Sequence, residues 1–176
     1  GEMALRGIGS EVGFAKTTFQ GFLYRQLQRD LVFAAGARLG LARGFAVVED
    51  LPASERFFAG GDRTIRGFAL DRLGDEPTID ENGFPIGGNA LIVLNSELRV
   101  PVTGALQVVG FLDAGNVFDR VRNFDLSRIR GGVGFGVRYR SPVGPIRVDL
   151  GFKLDRRELP QGACSPLDVT VQPDPV

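Results

Sequence analysis

The chain has 176 residues, enough for one domain of ordinary size and too few for two. Its 21 basic residues balance 21 acidic ones, and it holds no His and one Cys, Cys164. Within these residues that excludes a basic nucleic-acid footprint, Ser-His-Asp or Cys-His catalysis, His-ligated zinc and an intrachain disulfide. No run of about 18 apolar residues offers a transmembrane helix. Gly supplies 25 residues, roughly twice the usual share, and helical windows are few, which favours β structure.

Gly1 is followed by neither a basic n-region nor an apolar h-region, so the sequence is expected to be an interior piece of a longer chain. Residues 13–27 are strand-like but noisy. In 31–43, Leu31, Phe33, Ala35, Ala37, Leu39 and Leu41 alternate with Val32, Ala34, Gly36, Arg38 and Gly40. After a long loop at about 45–88, a pair of strands follows. Ile92, Leu94, Leu98 and Val100 oppose Asn95, Glu97 and Arg99 across the first. Leu106, Val108, Leu112 and Ala114 oppose Gln107 and Asp113 across the second, where Val109 and Phe111 interrupt the polar face. A hairpin follows. In 130–140, Val133, Phe135, Val137 and Tyr139 share a face opposite Arg130, Arg138, Arg140 and three glycines. A Ser-Pro-Val-Gly-Pro turn leads to 145–155, where Ile146, Val148, Leu150, Phe152 and Leu154 alternate with Arg147, Asp149, Gly151, Lys153 and Asp155. Residues 159–176, with Pro160, Pro166, Pro173 and Pro175, read as a Pro-rich tail or a truncated final strand.

The expected fold is all-β and antiparallel, with about six to eight long strands, the barrel portion covering residues 1–158. Soluble strands usually run about 5 to 6 residues. These run about 11 to 14, and eleven residues tilted by about 45° rise about 25 Å, the height of the apolar band of an outer-membrane barrel. A soluble lipocalin-like barrel also alternates, with its apolar face inward. Strand length, uninterrupted apolar faces and polar faces of Gly and Arg favour the membrane barrel. Ile146, Val148, Leu150, Phe152 and Leu154 are then its lipid-facing row. With no Trp and two Tyr, an aromatic girdle would rest on Phe.

The loop exceeds the roughly 15 residues at which loops in compact domains become functional or disordered. It carries Gly60-Gly61-Asp62-Arg63-Thr64-Ile65-Arg66-Gly67-Phe68. The Gly pair permits a sharp turn, and Arg66 offers a planar donor fork suited to carboxylates. This segment resembles the loop signature of the BamA/TamA outer-membrane assembly superfamily, a Val/Ile-Arg-Gly-Phe/Tyr tetrapeptide preceded by Gly-Gly. Three further segments fit in order: Gly87-Gly88-Asn89 with Ser96-Glu97-Leu98, then Phe111-Leu112-Asp113-Ala114-Gly115-Asn116-Val117-Phe118, then Arg140-Ser141-Pro142-Val143-Gly144-Pro145-Ile146-Arg147. The wording of the last two is closer to TamA than to BamA.

The resemblance implies the C-terminal part of a 16-stranded outer-membrane barrel, with POTRA domains upstream in the same full-length chain. It implies that the loop folds into the lumen and that Arg66 contacts acidic wall residues. Carried over by position, Gly60, Gly61, Asp62, Gly67 and Phe68 form the loop motif, and Glu97 and Asp113 are the partners of Arg66. Both lie on polar strand faces. The resemblance also implies an aromatic-ended last strand, which is not expected within these residues, whose last three are Asp174-Pro175-Val176.

The expected role is non-enzymatic assembly, insertion or translocation of proteins as an integral bacterial outer-membrane protein. Its partners would be membrane lipid and nascent outer-membrane proteins, with no nucleic acid. A two-partner secretion pore exporting one passenger is the alternative, and a soluble β-barrel binding module a remote one. No cofactor or metal is expected. The acidic residues Asp71, Asp75, Glu76, Asp80 and Glu81 lack EF-hand spacing and read as the solvated part of the loop, and Cys164 reads as incidental.

Overall fold

The computed structural model describes residues 2–4, 13–28, 30–45, 51–74, 76–142, 144–154 and 168–173. Gly1, Asp75, Asp155, Pro160, Cys164, Pro166 and Pro175 lie outside them. The fold is one antiparallel sheet of eight strands in sequence order. These are β1 (Glu2–Ala4), β2 (Gly13–Gln28), β3 (Leu31–Phe45), β4 (Ala90–Pro101), β5 (Leu106–Phe118), β6 (Arg130–Ser141), β7 (Gly144–Lys153) and β8 (Asp168–Pro173). The six central strands have 10 to 16 residues, so the shortest extends about 33 Å. β8 pairs with β7 and is the strand that forms within the Pro-rich segment. Among the described residues no ladder joins β1 to β8, and the sheet is not closed.

Register explains why neighbouring strands alternate with opposite parity. Across β6 and β7 the partners are Val133↔Phe152, Phe135↔Leu150, Val137↔Val148 and Tyr139↔Ile146. Partners in an antiparallel ladder point to the same face, so the two apolar rows merge into one surface. Leu94, Leu98, Phe135, Ile146, Phe152 and Leu154 are all exposed on it. The opposite face carries Arg99↔Val109, Val109↔Gly136 and Gly136↔Asp149 in one continuous row.

That opposite face holds the core. The connection from β3 to β4 folds back over it instead of projecting away. Its Leu51, Phe57, Ala59, Ile65, Phe68 and Leu73 pack with Ala42 of β3, Leu91 and Val93 of β4 and Val117 of β5. Burying a side chain such as Phe68 contributes about 1.5–3 kcal/mol. Val109 and Phe111, which interrupt the polar face of β5 in the sequence, are 0% and 4% exposed. Phe111 lies under Arg66 of the loop, and Val109 is enclosed in the inner-face row with Arg99, Gly136 and Asp149. Residues 71–88 are not simply solvated, which corrects that expectation: Leu73, Thr78 and Ile79 are buried. The cause is a local fold in which Ile79 bridges Pro85 and Phe57 bridges Gly88.

The exposed outer row predicts a position-dependent penalty for charge. Leu150→Arg is expected to destabilise the protein folded in lipid vesicles by roughly 2–4 kcal/mol if it lies near the midplane. A urea titration of the vesicle-folded protein measures this, and wild-type stability would show that the row does not face lipid.

Candidate functional site

The site is assembled by a turn that glycine makes possible. Gly60 and Gly61 have φ of 118° and 90°, a region L side chains avoid. The Gly61 N–H donates to Phe68 O at 2.9 Å, and the Gly60 N–H donates to Thr64 Oγ1 at 2.7 Å. These bonds close the 60–68 segment into a compact knuckle. Phe68 is buried at its base, with the cations of Arg130 and Lys153 5.0 and 5.2 Å from its ring centroid.

Arg66 projects from the knuckle into the strand wall. Its Nε and Nη2 donate to Asp113 Oδ2 and Oδ1 at 2.6 and 2.7 Å, a bidentate fork. Its backbone N–H donates to the same carboxylate at 3.1 Å. Nη1 donates to Glu97 Oε1 at 2.5 Å and to Asp149 Oδ2 at 3.4 Å. The guanidinium lies 3.6 Å from the Phe111 ring centroid, a cation–π contact. Arg66 is 6% exposed and Asp113 0%. Burial opposes the Arg66 charge, but Asp113 and Glu97 outweigh it and raise its pKa above the ordinary arginine value.

A second layer holds the carboxylates. Asn95 Nδ2 donates to Asp113 Oδ1 at 2.9 Å and to Thr64 O at 2.6 Å. Arg99 grips Glu97 Oε2 through Nε and Nη2 at 3.0 and 2.8 Å. Arg138 pairs with both oxygens of Asp149. Arg147 donates to Asp149 Oδ2 at 2.9 Å and to the backbone oxygen of Asp62 at 2.8 Å. Four guanidinium groups thus share three carboxylates on β4, β5 and β7.

The glycines of the polar faces are the seat for this knuckle. A Cβ at Gly151 would lie 2.6 Å from Gly67 N, and one at Gly132 would collide with Arg66 O. At Gly134 it would lie 2.5 Å from the Phe111 ring. Gly67, with φ of 88°, completes the close approach from the loop side.

Of the residues expected from sequence, Arg66, Glu97 and Asp113 meet directly, and Gly60, Gly61, Gly67 and Phe68 shape the knuckle. Asp62 takes part through its carbonyl. Asp149, Asn95, Phe111, Arg99, Arg138 and Arg147 were not singled out as partners. Their signal was weak: Asp149 is one polar residue in an alternating strand, and only register brings it under Arg66. Among the described residues no group of three or more His, Cys, Asp or Glu side chains is arranged to hold a metal ion.

Long antiparallel strands with an apolar outer row, and an ionic inner wall clasped by a folded-in loop, are the construction of a membrane β-barrel wall. The Omp85 superfamily domain matches residues 1–163, and the chain belongs to that superfamily. It is 34% identical over 156 residues to the outer membrane protein assembly factor BamA of Nitratidesulfovibrio vulgaris, covering 84% of this chain and 19% of that protein. It is 26% identical over 180 residues to the same-named protein of Neisseria meningitidis serogroup B, covering 85% of this chain and 22% of that one. The crystal structure of BamA from Haemophilus ducreyi lacking POTRA domains 1-3 shares the fold, with a TM-score of 0.70 at 20% identity over 96% of this chain and 35% of that one. The chain spans about a fifth of the length of these curated relatives. Family and fold make it an integral outer-membrane β-barrel segment.

Two substitutions test the clamp. Arg66→Ala leaves Asp113 buried without its cation and is expected to cost about 3–5 kcal/mol, with the loop becoming protease-sensitive. Unchanged loop proteolysis and unchanged urea midpoint would refute the anchor role. Gly151→Val is expected to lift the knuckle while keeping every charge, which would appear as faster cleavage near residue 66.

Proposed function

We propose that the chain forms part of the barrel of an outer-membrane assembly factor that inserts β-barrel proteins, without chemical catalysis or a cofactor. The observation that carries this reading is the docked Arg66 knuckle. One guanidinium ties Glu97 of β4, Asp113 of β5 and Asp149 of β7, while the backbone beside it rests on Gly132 of β6. Four consecutive strands are thereby braced from inside, which makes this part of the wall a stiff support. The names of the BamA relatives supply the activity that such a support would serve. Each carboxylate of the site is held by at least one guanidinium, so none stands ready as a general base.

On this reading the lipid-facing row, including Ile146, Val148, Leu150, Phe152 and Leu154, meets the membrane. POTRA domains elsewhere in the full-length protein deliver nascent outer-membrane proteins. The test replaces Arg66 by Ala in the full-length protein in its own host, with the wild-type copy depleted. The folded fraction of several unrelated outer-membrane proteins is then read by heat-modifiable electrophoresis. A several-fold fall across many of them is expected, with partial retention in Arg66→Lys. A loss confined to one exported passenger would instead mark a two-partner secretion pore. Normal accumulation of all of them would overturn the assembly role. The breadth of the loss also separates a general, BamA-like role from a narrower, TamA-like one.

A further inference from the structure

Beyond the Arg66 clamp, at the end of the sheet where short turns join β4 to β5 and β6 to β7, the inner face forms a cleft of about 280 Å3. Arg99, Arg138, Arg140, Arg147, Gln107 and Glu97 line it. Four guanidinium groups therefore face one carboxylate in the lining. Taken with the clamp, Arg66, Arg99, Arg138, Arg140 and Arg147 set five cations against Glu97, Asp113 and Asp149, a surplus of two.

The surplus is localised. Arg99, Arg138 and Arg147 spend donors on Glu97 and Asp149. Arg140 is exposed, and its guanidinium has no carboxylate partner among the described residues, although its backbone N–H donates to Ala105 O at 2.8 Å. The Arg99 side chain is also 38% exposed. Arginine carries five N–H donors in a rigid fork. A concave surface lined by uncompensated cations concentrates anions.

We propose that this cleft binds the carboxylates of an acidic polypeptide segment. Position selects a peptide over a lipid headgroup. Gln107, Arg138 and Arg147, which supply donors to the cleft, are register partners on the inner face, and the apolar row adds Tyr139 and Ile146 to the lining where the strands end. Short turns mark the periplasmic end of an outer-membrane barrel, where polypeptides arrive before insertion. The proposal rests on the reading that this inner face lines the barrel lumen.

The experiment uses the full-length protein in lipid nanodiscs made only of zwitterionic lipid. Binding of a fluorescent peptide rich in Asp and Glu is compared with that of its Asn and Gln counterpart. We expect the acidic peptide to bind at least about tenfold more tightly, with an advantage that shrinks as salt rises. Arg140→Gln should remove most of that advantage, and Arg140→Lys should restore part of it. The heat-modifiable mobility of each variant verifies that it is folded. Equal affinity for the two peptides, or an advantage that survives Arg140→Gln in a folded variant, would overturn the proposal. So would an acidic-peptide effect that appears only with anionic lipid in the disc, or displacement by inorganic phosphate at a site that takes no peptide. Outer-membrane protein levels in cells carrying Arg140→Gln are read separately, so loss of the assembly role is distinguishable from loss of this site.

Discussion

Everything on the inner face depends on one buried ion pair, Arg66 with Asp113. Desolvating two such charges costs several kcal/mol each, and only good geometry with further hydrogen bonds offsets it. Here the geometry is a bidentate fork, a backbone N–H to the same carboxylate, an aromatic ring beneath the guanidinium, and an amide from Asn95. A lysine would supply a point charge without the fork. The pair makes one arrangement of loop and strands far better than its neighbours, which is what a long loop with little regular structure needs.

The pair works only because glycine removes the strand side chains beneath it. The polar faces of β6 and β7 carry Gly132 and Gly151 where the main chain of Arg66 and Gly67 presses against them. Glycine in a strand ordinarily weakens it. Here that loss is offset by a close backbone approach and by the apolar loop residues brought down with it, Ile65 and Phe68 among them. Among the described residues the sheet packs against no second sheet or α-helix, and its own connection supplies the other half of the core.

The two faces then divide the physical tasks. The outer face is apolar and uncharged along β6 and β7, as a surface meeting lipid must be. The inner face carries the ion network, more cationic toward the short-turn end than at the clamp.

Much of this was legible in the sequence. Period-2 alternation located six long strands, and their lengths and apolar rows favoured a membrane barrel over a soluble one. The length of the connection marked the loop, and the resemblance of residues 60–68 to the superfamily signature singled out Arg66. The same resemblance named Glu97 and Asp113 as the partners of its arginine, and their polar-face placement agreed with it. Those are local properties, since a side chain's face follows from its parity within one strand. Asp149, Asn95 and Phe111 were invisible as partners, and the buried stretch around Leu73 and Ile79 read as solvated. Which polar residues of different strands stand at the same height is set by register, and which inner positions are dry is set by how the loop folds back. Both are relations between segments distant in the chain. The amino-acid pattern determined the strands and their two faces, and only the tertiary structure decided that an arginine, three carboxylates and a floor of glycines converge at one point.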